Sequence, residues 1–286
     1  MRRFYLHSYD GKEKFDLNTR AALALEPQGL GNAFSPSYQQ SEKGKHLTNV
    51  TPSFEPISFK VCFNADGSGG YGNYKALLQF LARCGISPFL FEYDDGVTDK
   101  YCDVILKSHT KSELGEDGAL IENFSFERQS FWYERLESSF DMKRNDERST
   151  EFPLPFPFGF VGLSLVNSVT LKNPFFIPAP ITVTISGYIG HDVELAITDP
   201  ASEKNVARLM LLCEGNKSGD VIVIDPNQKK ITRTDANGTV KNGYDLTDKR
   251  FQSFLYLPQG EYTVQSNLEE TDSGSIKLSV KRYLLD

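Results

Sequence analysis

The chain has 286 residues and a net charge of −7, enough for two ordinary domains or one large β domain. Folding at this length buries roughly three-quarters of the extended surface, so the core needs no disulfide or metal staples. The acidic balance argues against general nucleic-acid binding, and no apolar run reaches the roughly 18 residues of a membrane helix.

Hydrophobic residues make up 39% and charged residues 24%, which places the chain among ordinary soluble globular proteins. The opening MRRFYLHSYDGKEKFD has arginines with no apolar stretch behind them, so no signal peptide is expected. Within it, Phe4 to Leu6 predicts a short strand, followed by a turn at Asp10-Gly11. ALALEPQGLGNAF is an apolar run ending in a sharp bend at Pro27, Gly29 and Gly31. From Gln39 to Thr51 the chain is polar, mixed in charge and without clear periodicity. It reads as a long loop or projecting arm. The flanking aromatics Phe34, Tyr38 and Phe54 favour contact with a neighbouring subunit.

The next stretch, Ile57 to Tyr93, organises the chain. Ile57, Phe59, Val61 and Phe63 alternate with Ser58, Lys60 and Cys62, the pattern of a strand with one face toward a core. Tyr74, Leu77, Leu78 and Leu81 fall on one stripe at helical spacing. They predict the single helix, about 73–84, capped by Gly72 or Asn73 and stopped at Gly85. Between strand and helix, Gly67, Gly69 and Gly72 spell GxGxxG, with Glu92 and Asp94 about 20 positions on, as in a dinucleotide site. The preceding strand argues against that reading. A Rossmann strand is buried on both faces and reads as an unbroken apolar run; this one alternates. The glycines are read as a loop where φ must be free, and no cofactor is expected.

Phe89 to Tyr93, Cys102 to Lys107 and Ala119 to Phe126 predict consecutive antiparallel strands, the last two joined by HTKSELGEDG. Trp132, the only tryptophan, is expected to anchor a core or a domain boundary. SSFDMKRNDERSTE is charged and serine-rich. It puts a first domain at 1–140, a linker at 141–151 and a second domain at 152–286. The second domain opens with EFPLPFPFGF, where Pro153, Pro155 and Pro157 alternate with Leu154, Phe156 and Phe158. That is an edge or polyproline-like segment whose side chains cover a sheet or a partner. Alternation then recurs at Ile181 to Ser186, Val193 to Thr198 and Ile276 to Lys281. Turn signals lie between, at Asp225-Pro226-Asn227, Asn237-Gly238, Asn242-Gly243, Pro258-Gln259-Gly260 and Ser273-Gly274. Short alternating strands at this spacing indicate an antiparallel sandwich.

Residues that carry chemistry are scattered. Cys62, Cys84, Cys102 and Cys213 form no CxxC pair and sit in strand-like or apolar runs, as buried free thiols do. His7, His46, His109 and His191 show no zinc spacing. There is no GxSxG, and nothing sets two of the 38 acidic residues at a glycosidase separation. No catalytic, cofactor or metal site is expected, and no enzyme.

The segments in their order resemble a known family. RRFYL with its glycine turn is followed by EPQGLG at 26–31, the helix YGNYKALLQFL, and LKSHTKSEL leading to a strand and Trp132. FPLPFPFGF precedes NPFFIPAPITVTISG, and the chain closes on FLYLPQGEYTV and SIKLSVKRYLL. This succession resembles the distal tail proteins of long-tailed bacteriophages, the siphophage tail-component family of phages and prophages of Gram-positive bacteria.

The resemblance implies a mainly β fold of two β-sandwich domains: an N-terminal belt domain carrying the helix and a galectin-like C-terminal domain. It implies a homo-hexameric ring at the virion tail tip, built from protein made in the bacterial cytoplasm. The ring would join the tail tube protein to the tail-associated tip protein and dock receptor-binding proteins, with DNA only passing through the lumen. A net acidic subunit suits such a conduit, because it does not grip DNA. Phe34, Tyr38, Phe54, Phe156 and Phe158 are the candidate ring and partner contacts. The alternative is a carbohydrate-binding or adhesion module acting through the C-terminal sandwich. That half has no tryptophan and His191 as its only histidine, and is read instead as a docking scaffold.

Overall fold

The computed structural model describes residues 2–9, 11–64, 69–85, 88–116, 118–140, 142–145, 162–165, 167–212, 219–269 and 272–284. The chain divides into two units, Met1–Glu134 with Leu284–Asp286, and Arg135–Tyr283. Both are mainly antiparallel β-structure.

The first ten strands, in chain order, are β1 (Arg3–His7), β2 (Lys14–Asp16), β3 (Ala22–Gln28), β4 (Ala33–Ser41), β5 (Gly44–Ser53), β6 (Ile57–Phe63), β7 (Phe89–Asp94), β8 (Asp99–His109), β9 (Leu120–Arg128) and β10 (Tyr133–Phe140). One helix, α1 (Gly70–Cys84), separates β6 from β7. In the first unit the sheet runs β2–β1–β7–β8–β9–β6–β3. The alternation read at 57–63 is realised: Ile57, Phe59, Val61 and Phe63 are buried and the residues between them half-exposed. Phe59 on β6 and Phe91 on β7 belong to strands that are not paired, yet their rings lie 5.8 Å apart. The sheet therefore curls so that its apolar face closes on itself, and Trp132, 6.0 Å from Phe91, fills the inside.

α1 packs on this body through Tyr74, Leu77, Phe80 and Leu81, all buried. Leu78, expected in the stripe, is only partly buried, and Phe80 takes its place. The helix starts at Gly70, before the expected residue 73, with Gly69 as N-cap at φ 96° and no side-chain cap bond, so neither Gly72 nor Asn73 caps it. The capping comes from further back: Asn64 Oδ1 accepts the Gly69 N–H at 3.1 Å while its Nδ2 donates to the Gly118 carbonyl at 2.8 Å. A Cβ on Gly70 would sit 2.9 Å from Leu120 Cβ. A glycine there lets the helix approach β9, a packing role rather than a phosphate-binding one. β6 pairs antiparallel with both β3 and β9, which excludes the parallel unit a dinucleotide site requires. Gly67 lies outside the described residues.

The second unit contains β11 (Met142–Asn145), β12 (Gly162–Leu165), β13 (Ser168–Asn173), β14 (Ala179–Ser186), β15 (Val193–Thr198), β16 (Asn205–Leu211), β17 (Val221–Asp225), β18 (Lys230–Thr234), β19 (Val240–Asn242), β20 (Leu255–Leu257), β21 (Gly260–Ser266) and β22 (Ser275–Tyr283). One sheet runs β19–β18–β17–β14–β22 with β20 also on β14, and a second runs β13–β21–β15–β16. Ile181, Val183 and Ile185 of β14 and Leu278 of β22 share one core with Leu195 and Ile197 of β15, Leu209 of β16 and Val264 of β21. This is the sandwich that the alternation predicted. Of the expected linker 141–151, Met142–Asn145 is instead a strand, paired antiparallel with Gly162–Leu165. The aromatic-proline segment at 152–160 lies outside the described residues.

Candidate functional site: an exposed hairpin arm

The segment expected to be a loop or arm at 39–51 is a β-hairpin. β4 and β5 pair along their length, from Ala33 opposite Ser53 to Ser41 opposite Gly44, around a two-residue turn at Glu42-Lys43. They pair with no other strand among the described residues. Between Ser37–Asn49 and Tyr38–Leu47 the register shifts, leaving Thr48 as an extra residue. Its Oγ1 donates to the Ser37 carbonyl at 3.0 Å and pins the bulge.

Register and alternation assign the two faces, because directly paired residues share a face and neighbours along a strand oppose each other. One face carries Phe34, Pro36 and Tyr38 opposite Pro52, Val50 and Leu47. The other carries Ser35, Ser37 and Gln39 opposite Thr51, Asn49 and His46. The hairpin is amphipathic, yet its apolar face is uncovered: Phe34 is 38% exposed, Tyr38 56%, Leu47 57% and Val50 45%. Formal charge is confined to Glu42, Lys43 and Lys45 near the tip. A contiguous apolar strip without charge is the composition of an interface centre.

The root of this arm is tightly held. Phe131 receives Phe54 edge-on at 5.0 Å and Phe34 at 6.4 Å. Trp132 Nε1 donates to the Leu30 carbonyl at 2.6 Å. Arg128, at the end of β9 and 2% exposed, donates through Nη1 to the Gly31 carbonyl at 2.7 Å and through Nη2 to Asn32 Oδ1 at 2.8 Å. Its guanidinium lies 5.7 Å from the Phe54 ring and 5.2 Å from the Trp132 ring. Gly29, at φ 74°, is fixed here by contact: a Cβ would fall 2.1 Å from the Pro56 carbonyl oxygen.

The sequence-derived contact residues thus separate. Tyr38 and Phe34 stand on the open face, whereas Phe54 is half-buried against Phe131 and Arg128 and serves the root. Phe156 and Phe158 lie outside the described residues. Leu47 and Val50 were missed because the bulge at Thr48 breaks the period of two in β5. The alternation Phe34, Pro36, Tyr38 in β4 was the available signal.

The groups that suggested chemistry are engaged in holding the fold. Glu92 is 7% exposed at its side chain and bonds to His7 and, at 3.5 Å, to Lys14. Burial alone would raise its pKa, but the bonds from His7 and Lys14 outweigh it and leave the carboxyl below its ordinary value. Asp94 Oδ1 accepts the Gly96 N–H at 2.6 Å. The buried Glu122 takes Thr110 Oγ1 at 2.6 Å and Ser112 Oγ at 3.1 Å, fastening the segment after β8 to β9. Burial pushes the Cys102 thiol well up, away from a reactive thiolate. Among the described residues no three His, Cys, Asp or Glu side chains gather as a metal site.

Residues 3–129 match the family model described as distal tail protein, N-terminal domain. The full chain is similar in fold to a chain from the phage P2 baseplate in its activated conformation with calcium, with a TM-score of 0.70, 17% identity and coverage of 100% of this chain and 99% of that one. A baseplate structure with strontium gives the same TM-score and identity over 98% of each chain. The SPP1 Dit protein, described as a paradigm of the hub adsorption apparatus in phages infecting Gram-positive hosts, matches at a TM-score of 0.56 and 12% identity, covering 98% of this chain and 99% of that one. No curated protein sequence matches.

Proposed function

We infer the role of this chain from one premise: through residues 3–129 it belongs to the distal tail protein family, the baseplate hub proteins of bacteriophage tails. From that premise we propose that it forms a homo-hexameric ring at the virion tail tip, linking the tail tube protein to the tail-associated tip protein. In this reading residues 1–140 make the ring and the galectin-like residues 152–286 are a scaffold for receptor-binding proteins. DNA passes through the lumen without being gripped, consistent with the net charge of −7.

The observation that carries the proposal is the arm. An apolar face held out from its own unit needs a cover, and a second copy supplies one at every position of a ring. In this reading the arm docks on a different part of the next copy, so the contact is head-to-tail. Such a head-to-tail contact generates a closed ring when its rotation closes. Tyr38, Leu47 and Val50 are the docking side chains, Phe34 extends the strip to the root, and the charged tip at Glu42 to Lys45 remains at the wet rim. Negative-stain electron microscopy of the purified protein, alone and mixed with the tail tube protein, tests this. Six-fold annuli are expected; single particles of one subunit under both conditions would count against it.

A further inference from the structure

Arg128 is a buried cation whose hydrogen bonds go to neutral oxygens. Its two terminal nitrogens are satisfied by Gly31 and Asn32, its Nε is buried without an acceptor, and no carboxylate pairs with it among the described residues. Burial lowers its pKa, with Glu55 acting on it only through the field. An apolar side chain of similar volume normally serves packing at lower cost than a buried charge. A guanidinium offers instead a planar fork that fixes direction as well as distance.

The fork grips three stretches at once. Gly31 and Asn32 lie on the entry to β4, Phe54 lies on the exit from β5, and Trp132 belongs to the body of the first unit. Asn32 is also drawn to that body, its Nδ2 donating to the Leu284 carbonyl at 3.4 Å. A lone two-stranded hairpin is marginal in water and holds no fixed angle to the body it leaves. We propose that Arg128 is the positioning residue of the arm: it sets the angle at which β4 and β5 leave the first unit, and so presents Tyr38, Leu47 and Val50 in the pose that meets the next copy. The inference rests on the ring reading above and adds to it a residue that never touches the neighbouring subunit.

The test uses the full chain with Arg128→Lys, which keeps charge and loses the fork, and Asn32→Ala, which removes one acceptor while leaving Arg128 in place. Amide exchange is read separately at the root (29–32, 54–55) and in the core strand 57–63, and assembly is read as the concentration of half-association. For Arg128→Lys the root is expected to exchange at least tenfold faster and half-association to need about tenfold more protein, with strand 57–63 unchanged. Asn32→Ala is expected to move both in the same direction by a smaller factor. A control, Tyr38→Ser with Leu47→Ser, is expected to abolish association with root exchange unaltered. If the control assembles normally, the ring reading falls and this inference with it. If the control fails to assemble but Arg128→Lys associates like the unmodified chain, the positioning role alone is overturned. Faster exchange across 57–63 together with the root would also overturn it, by marking Arg128 as core packing only.

Discussion

β6 and the arm are both amphipathic β-structure, and they differ in what covers the apolar face. On β6, Phe59 stacks at 5.4 Å on Phe126 and Phe63 meets Tyr74 of the helix at 5.6 Å, and Ile57, Phe59, Val61 and Phe63 are all buried within their own unit. On the arm, Phe34, Tyr38, Leu47 and Val50 form a comparable strip that their own unit leaves open. Alternation therefore tells where a sheet has an apolar face. It does not tell whether that face belongs to the chain's own core or to a contact with another molecule. The ring reading makes the two energetic opposites: removing side chains from β6 is expected to cost folding, and removing them from the arm is expected to cost association.

The comparison can be broken at several strengths. Phe59→Ala is expected to destabilise the protein by about 3–5 kcal/mol in denaturant unfolding, because it opens a cavity among Phe91 and Phe126. Glu122→Ala, which strands Thr110 and Ser112, is expected to cost about 2 kcal/mol in the same assay. Trp132→Phe keeps the ring and loses the bond to Leu30, an expected cost of about 1 kcal/mol, with faster amide exchange at 29–32 as its local signature. Serine at Tyr38, Leu47 and Val50 is expected to change folding stability by no more than about 0.5 kcal/mol, as for open surface sites. A large folding penalty from those three changes would mean that the arm belongs to the core after all.

A pH effect is expected in the second unit. His191 Nδ1 faces the Asp192 carbonyl at 2.9 Å and its Nε2 faces Asp272 Oδ2 at 3.0 Å, so both ring nitrogens look at acceptors and the doubly protonated ring fits best. The Asp192 carbonyl and then Asp272 raise the His191 pKa above its ordinary 6.5, against burial. Burial would raise Asp272, but bonds from the Glu269 N–H, His191 and the Gly190 N–H leave it below its ordinary value. The His191 contribution is complete below pH 6.5 and is lost as pH rises through the raised folded value. The Asp272 contribution is present above the ordinary carboxylate range and is lost as pH falls through the lowered one. Amide exchange at 187–192 should thus be slowest between the two and speed up on the alkaline side. An exchange profile free of any step near the His191 titration, beyond intrinsic chemistry, would show that the His191–Asp272 contact does not hold this segment.

Much of the fold was legible in the sequence because its strands keep a strict period of two. β6, β14, β15 and β22 formed where that period placed them, and the helix stopped at Gly85 as expected. What was not legible had local causes. The helix start was hidden because its capping group, Asn64, lies back at the end of β6 rather than beside the glycines. The arm was read as such, but its strand pairing and its apolar face were hidden because one extra residue, Thr48, shifts β5 out of phase, so that Leu47 and Val50 share a face while three positions apart. Met142–Asn145 was hidden because a short charged strand carries no alternation to read. Arg128 gave no signal at all, since its partners Gly31 and Asn32 are nearly 100 residues away along the chain and meet it only in the folded unit.

The central claim is that the open face of the arm belongs to a second copy, and sedimentation velocity tests it most directly. The unmodified chain and the Tyr38→Ser, Leu47→Ser, Val50→Ser variant are compared at matched concentrations, with the tail tube protein supplied to both. The unmodified chain is expected to sediment as a closed ring and the variant as single, fully folded subunits. Identical sedimentation of the two, at whatever size, would contradict the account.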